Sequence, residues 1–318
     1  MKKFFSIAIT LLIVAFMVCL IVYPDRYLTS TLDGIKLWAF SVLPSLLPFF
    51  FLTTLLTKTA SLDKLSKKAT PLTRKLYNCS GITLYAQIMS ILSGYPIGAK
   101  VVSDLYQKKL ITKDEATRAS TFCSTTGPLF IVGSVGISMF QNKKIGLIFL
   151  ITHILSSIFC GFCFKKYGDN RTILDFSIKK ETSDNLLYDC IYQSVISVLI
   201  VGGFVSVFYT LSQILHDFNV LFVFEKLLSP LFGKNFSVGF IQGIVECTKG
   251  CKILSLDYSI LSASLSLGLI SFGGFSIICQ SIVFLKKAEV NIKIFLLSKL
   301  VQMIFSIVVC FLLLTLFL

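Results

Sequence analysis

The sequence has little charge, little histidine and little tryptophan. Only 14% of the 318 residues are charged, two are histidine and one is tryptophan. A soluble domain of this size needs more polar side chains than that to cover its surface. With 55% hydrophobic residues and a mean hydropathy of +0.83, the chain is expected to place most of its apolar side chains against lipid or against each other.

The sequence motifs of common enzymes are also absent. There is no Walker loop, no HExxH and no GxSxG with a matching acid and histidine, and only His153 and His216 are available as bases. Of the ten cysteines, Cys160 and Cys163 form a CxxC inside an apolar run, without a second pair. Buried thiols are favoured over a metal site. We therefore expect no enzyme activity, no cofactor and no metal centre.

The net charge is +14, from 30 Lys and Arg against 16 Asp and Glu. These basic residues lie mostly in short segments between apolar runs, which is typical of cytoplasmic loops facing anionic lipid. No basic stripe is interleaved with aromatics, so a nucleic-acid partner is not expected. The first apolar run follows Lys2 and Lys3 and lacks a small-residue cleavage site, which indicates a retained helix with a cytoplasmic amino terminus.

Several apolar runs are long enough to span a bilayer, which takes about 20 residues. Seven runs qualify: 4–23, 35–56, 119–141, 145–164, 188–214, 258–285 and 293–317. Two further runs, 82–110 and 236–256, are interrupted midway. The predicted fold class is therefore an all-α polytopic membrane protein with about seven full spans.

The two interruptions predict re-entrant helical hairpins. In the first, Ser93-Gly-Tyr-Pro-Ile-Gly98 places two glycines and a proline within five residues, which breaks a helix. The second runs from Glu246 to Lys252. In lipid, a break of this kind is tolerated only where protein or a water-filled cavity satisfies the freed backbone groups.

The two interrupted segments are similar to each other. Gly98-Ala-Lys-Val-Val-Ser103 aligns with Gly250-Cys-Lys-Ile-Leu-Ser255, and predicted span 145–164 inverts the second unit relative to the first. The sequence thus predicts an inverted repeat with broken transmembrane helices. The units are an amino-terminal helix and external loop (1–34), a first repeat with its hairpin (35–141), a linking span and cytoplasmic loop (142–187), a second repeat with its hairpin (188–285), and a carboxy-terminal helix (286–318).

Broken segments in corresponding positions of two repeats indicate a transporter site near the middle of the bilayer. Exposed helix ends present N–H groups that favour anions, and a lysine follows each hairpin tip. The predicted substrate-binding residues are Ser93, Gly94, Tyr95, Pro96, Gly98, Lys100, Ser124, Thr125, Thr126, Gly127, Pro128, Glu246, Thr248, Lys249, Gly250, Lys252, Ser271, Gly273 and Gly274.

Other interpretations of these residues stay open. A lysine just past a tip also reaches the membrane interface, and hydroxyls in membrane helices bond the preceding carbonyls without any ligand. Glu246 either pairs with Lys249 or Lys252, couples transport to a proton or cation, or lies in a loop. His153 is left out of the site, because a lone membrane histidine is more often a neutral ring bonded to a neighbouring helix.

Four segments carry a resemblance to a known family. They are Ser93-Gly-Tyr-Pro-Ile-Gly-Ala-Lys100, Leu110 to Thr117, Gly127-Pro-Leu-Phe-Ile131 with Gly133, and Glu246-Cys-Thr-Lys-Gly250. Together they resemble the YlbJ, or SpoVV, family of sporulation integral membrane proteins of endospore-forming bacteria, within the wider nucleoside-recognition or Gate-domain group. The resemblance spans roughly 35–317.

The resemblance implies a role in spore formation, at the outer forespore membrane of the mother cell, in the passage of dipicolinic acid. It also implies hairpins and broken helices similar to those of concentrative nucleoside transporters. The alternatives are a nucleoside or nucleobase carrier and a non-transporting scaffold for spore assembly. The predicted partners are a small anionic substrate, the lipid bilayer, and either a second copy of the chain or other sporulation membrane proteins.

Overall fold

The computed structural model describes residues 2–59, 62–169 and 185–317, and within these ranges the chain forms helices and no strands. Most of the predicted cytoplasmic loop 165–187 lies outside the described residues. The α-helices are α1 Lys2–Val22, α2 Pro24–Leu37, α3 Leu43–Thr59, α4 Leu62–Tyr77, α5 Ile82–Ser93, α6 Ile97–Gln107, α7 Lys113–Phe122, α8 Lys143–Cys163, α9 Leu186–Asp217, α10 Phe222–Phe232, α11 Lys234–Val245, α12 Cys247–Leu254, α13 Ile260–Phe272, α14 Gly274–Leu285 and α15 Ile292–Phe317. The segments Trp38–Val42 and Leu129–Met139 are π-helical, and Lys286–Ala288 is a 3₁₀ turn.

Four helical segments are long and apolar enough to cross a bilayer. They are Lys143–Cys163, Leu186–Asp217, Ile260–Ala288 and Ile292–Phe317, and they coincide with the last four predicted spans. On α15, Ile304 is 59% exposed and Val308 is 53% exposed, so that face suits lipid rather than water. The chain is a polytopic helical membrane protein.

The other three predicted spans are bent or divided. The run 4–23 forms α1, and the chain turns by 108° between α1 and α2. The run 35–56 continues from α2 through a π-helical turn into α3. The run 119–141 is split between α7 and the π-helix Leu129–Met139. By length and composition, the described residues hold four spans, or five if the bent pair counts as one, so the count of seven stays a prediction.

Local sequence signals explain where several of these helices begin. Thr112 precedes α7 and its hydroxyl accepts a hydrogen bond from the backbone N–H of Glu115. Asn142 accepts from the N–H groups of Lys144 and Ile145 at the start of α8. Short polar side chains at this position satisfy N–H groups that have no partner within the helix.

The two interrupted runs each form a pair of short helices. Helices α5 and α6 are joined by residues 94–96, where Gly94 has a φ of 78° and the Tyr95–Pro96 peptide bond is cis. Helices α11 and α12 are joined by Glu246 alone. At the second pair the helices fold back so closely that a Cβ on Gly250 would lie 2.3 Å from the Gly243 Cα. Only glycine allows this crossing, because any side chain would separate the two helices.

Two longer helices are broken. Residues 123–128 separate α7 from the π-helix Leu129–Met139 and are here called the first break. Gly273, in the left-handed conformation with a φ of 92°, separates α13 from α14 and is the second break. Both breaks lie in the interior of the molecule, since Cys123, Thr125 and Gly273 are all buried.

Candidate functional site

Each hairpin tip packs against the broken helix that follows it in the chain. A Cβ on Gly94, at the first tip, would lie 2.5 Å from the backbone nitrogen of Gly127 in the first break. A Cβ on Gly274, after the second break, would lie 3.0 Å from the backbone nitrogen of Cys247 at the second tip. The two breaks also touch, because the Thr126 hydroxyl donates to the carbonyl of Ile270 at 3.3 Å. Both tips and both breaks therefore meet in one central region.

His153, on α8, connects the two breaks. Its Nε2 accepts a hydrogen bond from the backbone N–H of Thr126 at 2.9 Å, and its Nδ1 lies 2.9 Å from the hydroxyl oxygen of Ser271. Since Nε2 accepts, the ring proton is on Nδ1, the ring is neutral and Nδ1 donates to Ser271. The hydroxyl of Ser306 on α15 also donates to Ser271, at 2.7 Å. This histidine satisfies a backbone N–H that the first break leaves free.

Lys299, on α15, has no surface exposure at all. Its Nζ donates to the Tyr95 hydroxyl at 2.6 Å, to the Ser124 carbonyl at 2.8 Å and to Gln302 Oε1 at 2.6 Å. Three acceptors match the three hydrogens of an ammonium group. Lys299 therefore connects the first tip, the first break and the carboxy-terminal helix.

Sequence reasoning did not select Lys299, although a signal was present. The run 293–317 is strongly apolar, and Lys299 and Gln302 are polar residues three positions apart on one face of it. An ionisable residue inside a membrane span is a candidate functional residue by default. The predicted lysines, in contrast, follow the tips in the sequence.

Several hydroxyl groups lie at the first break, and some of them form hydrogen bonds there. The backbone N–H of Thr125 donates to the Ser90 hydroxyl oxygen at 3.0 Å, and the two hydroxyls lie 2.8 Å apart. Within the described part of the chain, the buried hydroxyls of Ser93 and Ser124 have no hydrogen-bond partner. These two groups stay available beside the first tip.

Glu246 and Lys249 interact at the second tip through the backbone. The Glu246 side chain accepts a hydrogen bond from the backbone N–H of Lys249 at 2.7 Å and thereby caps α12. The Lys249 ammonium instead donates to Gln213 Oε1 on α9 at 2.9 Å and lies 5.0 Å from the ring centroid of Tyr209. The positive end of α12 is thus already occupied by a carboxylate of the same chain.

A cavity opens where the tips and breaks meet. The empty space there is ≈ 480 Å³, which includes the space at its open side. Among the described residues that line the cavity, only Glu246 has a carboxylate or amine group. The lining residues are Val42, Leu46, Tyr95, Thr126, Gly127, Phe130, Val201, Val205, Glu246, Thr248, Ile277 and Gln280.

The lining includes five of the residues expected from the sequence. They are Tyr95, Thr126, Gly127, Glu246 and Thr248. The other predicted residues apart from the lysines are not among those that line the cavity. Of these, Ser93, Gly94, Pro96, Gly98, Ser124, Thr125, Gly250, Ser271, Gly273 and Gly274 are buried, and Pro128 is half-buried.

The three lysines predicted to contact an anion lie elsewhere. Lys100 is half-buried on α6, Lys252 is exposed on α12 and Lys249 is buried against α9. None of them is among the residues that line the cavity. The buried ammonium of Lys299 instead donates a hydrogen bond to Tyr95, which is part of the cavity wall.

Gln280, on α14, is a further residue that the sequence reasoning missed. It lines the cavity and is 1% exposed, and its amide nitrogen has no hydrogen-bond partner in the ranges that the structure describes. Buried amides normally form hydrogen bonds. An unpaired donor in a cavity wall is therefore available to a ligand.

A comparison with known proteins identifies the family. The chain is 30% identical over 329 aligned residues to the sporulation integral membrane protein YlbJ of Bacillus subtilis (strain 168), and the match covers 93% of this chain and 81% of that protein. No family model matches the chain, and no solved structure matches it. The match confirms the resemblance carried by the tip and break motifs. The chain belongs to the YlbJ family of sporulation integral membrane proteins.

Proposed function

We propose that this sporulation membrane protein is a transporter or channel that passes a small aromatic dicarboxylate, dipicolinic acid, across the outer forespore membrane, with its amino terminus in the cytoplasm. One observation carries the proposal: two hairpin tips and two broken helices meet around a single cavity. Broken helices that converge in this way build the substrate sites of many secondary transporters. A scaffold protein has no need for such a cavity.

The order of elements in the chain supports an inverted repeat. A long helix, a hairpin and a broken helix occur first as α3, α5–α6 and α7 with its π-helix, and again as α9, α11–α12 and α13–α14. In both sets the hairpin tip packs on the break that follows it. We propose that the two sets are inverted copies and that each hairpin enters from its own side of the membrane.

The cavity wall suits a flat aromatic ring. Val201, Val205, Leu46 and Phe130 supply apolar surface, while the hydroxyls of Thr126 and Thr248 and the amide of Gln280 supply hydrogen-bonding groups. An apolar wall with a few placed polar groups is the usual composition of a small-molecule site. The carboxylates of the substrate are proposed to face Gln280 and the Tyr95 hydroxyl, behind which the Lys299 ammonium lies.

A second candidate function is a nucleoside or nucleobase carrier. It is favoured by Glu246, because a carboxylate in the wall repels an anionic substrate but accepts hydrogen bonds from a neutral heterocycle. The first candidate requires an anionic ligand and the second a neutral one. They are therefore separable by one transport measurement.

The deciding experiment uses purified protein in liposomes. Vesicles are loaded with dipicolinate, and its release is followed by the luminescence of terbium ions outside. Release that depends on the protein supports the first candidate. Protein-dependent uptake of radiolabelled uridine, without dipicolinate release, supports the second. Protein-free vesicles measure the leak. Vesicles that move neither compound contradict both candidates.

A further inference from the structure

The surroundings of Lys299 Nζ are those of a coordinated cation. One oxygen comes from the phenol of Tyr95 at the first tip, one from the backbone carbonyl of Ser124 in the first break, and one from the amide of Gln302 on α15. The three distances, 2.6 to 2.8 Å, are those of charge-assisted hydrogen bonds. All three ligands are neutral oxygens.

Within the part of the chain that the structure describes, no carboxylate compensates this charge. Among the described residues, no Asp or Glu oxygen lies in ion-pair contact with Lys299. His153, an ionisable group on α8, is neutral by its hydrogen bonds. A buried ammonium without a counter-ion is costly unless dipoles are directed at it. The neutral oxygens of the tip and the break supply those dipoles.

The carbonyl of Ser124 is free to accept because the first break removes its helical partner. In transporters with broken helices, carbonyls freed in this way commonly coordinate the coupling Na⁺ or proton. Here the carbonyl already has a cation, which is covalently attached to α15.

We infer that Lys299 is a tethered cation. Its ammonium group occupies the position beside the Ser124 carbonyl where other transporters with broken helices bind a mobile ion, so that this protein holds its first tip in place without sodium. The inference has a structural part and a functional part. The structural part, that Lys299 fills a cation position, rests on the three oxygen contacts. The functional part, that transport is independent of sodium, rests on the proposed transport function. The two parts are tested separately.

The structural part is tested by removing the ammonium and leaving the oxygens. Wild type, Lys299→Ala and Lys293→Ala are purified in detergent and melted in sodium chloride, methylammonium chloride or choline chloride at equal ionic strength. Lys293 is exposed at the start of the same helix and serves as the control. Wild type and Lys293→Ala are expected to melt at the same temperature in all three salts. Lys299→Ala is expected to melt lower in choline and to regain part of the loss in sodium or methylammonium.

Two results would overturn this part: wild type that is stabilised by sodium over choline, or folded Lys299→Ala that responds to neither small cation. If Lys299→Ala does not fold, the wild-type measurement still decides, because a vacant sodium site would make wild type respond to sodium.

The functional part is tested in dipicolinate-loaded liposomes that contain wild-type protein, with sodium or choline on both sides. Release is expected to agree within about twofold, a difference well below the tenfold that 1.4 kcal/mol would produce. Release that is at least about tenfold faster in sodium would overturn sodium independence. If dipicolinate moves in neither salt, the proposed substrate is wrong, while the melting experiment still decides whether Lys299 fills a cation position.

Discussion

Lys299 Nζ donates a 2.6 Å hydrogen bond to the hydroxyl of Tyr95, a residue 204 positions earlier in the chain. The contact joins the carboxy-terminal helix to the tip of the first hairpin. Tyr95 also lines the cavity, so any ligand that contacts the Tyr95 side chain is one residue away from a buried positive charge. Several measurable consequences depend on this arrangement.

Replacing Tyr95 by phenylalanine removes one of the three acceptors of Lys299. We expect Tyr95→Phe to lower the stability by about 1–3 kcal/mol, because a buried charged donor loses its partner. The measurement is the melting temperature in detergent. Tyr188→Phe is the control, since Tyr188 is 69% exposed. Equal melting temperatures for the two variants would contradict the role given to the Lys299–Tyr95 contact.

The second hairpin depends on the absence of a side chain at Gly250. Gly250→Ala places a Cβ 2.3 Å from the Gly243 Cα, and relieving that clash should cost about 1–3 kcal/mol. Gly203→Ala is the matched control, because nothing lies within 4 Å of a Cβ built there and alanine is the better helix former. Lower melting temperature and lower yield are expected for Gly250→Ala only. Similar behaviour of the two variants would show that the hairpin is looser than described.

Gln280→Met tests the cavity as a binding site. Methionine has about the same side-chain volume as glutamine. The substitution breaks no hydrogen bond of the Gln280 amide nitrogen, because that nitrogen has no protein partner among the described residues. Stability should therefore stay unchanged. Dipicolinate release should fall about fivefold if the amide contributes a hydrogen bond of about 1 kcal/mol to the substrate.

The control for that substitution is Gln107→Met at the exposed end of α6. Normal release by a stable Gln280→Met protein would argue that the substrate does not contact α14. A loss of release in the Gln107→Met protein as well would point to an effect outside the cavity.

Lys249 and Lys252 lie three residues apart on α12 but in different surroundings. Lys249 is 6% exposed and bonded to Gln213, whereas Lys252 is exposed. We expect Lys249→Met to reduce the dipicolinate content of spores, because it removes the Lys249–Gln213 hydrogen bond between the second hairpin and α9. Lys252→Met should leave the content normal, since loss of an exposed charge usually changes stability little. Protein levels are compared by immunoblot. The opposite order would indicate that Lys252 contacts the anion directly.

The sequence predicted the helical membrane class and the two places where an apolar run is interrupted. Apolar runs of about 20 residues are local features, and so is a cluster of glycine and proline that stops a helix. The hairpin segment 82–110 contains α5 and α6, and the segment 236–256 contains α12 and most of α11. The family followed from the same motifs, and the YlbJ match confirms it.

The predicted site was less complete, because its contacts join distant parts of the chain. Tyr95, Thr126 and Glu246 were chosen since they sit at tips and breaks, and all three line the cavity. Lys299 and His153 lie in helices without any break. Their sequence neighbours show only that they are polar residues inside apolar runs.

Composition and the spacing of glycine, proline and apolar residues thus determined that the chain is a membrane protein with two interrupted helical segments, because these properties act within a few turns of helix. Only the tertiary structure decided which cation lies beside the first tip. Packing brings Nζ of Lys299 to the carbonyl of Ser124 and the hydroxyl of Tyr95, while Lys252, placed beside the second tip by its position in the chain, remains exposed on the surface. The free energy of a buried charge depends on its neighbours in space, and the positions of those neighbours are set by how the helices pack.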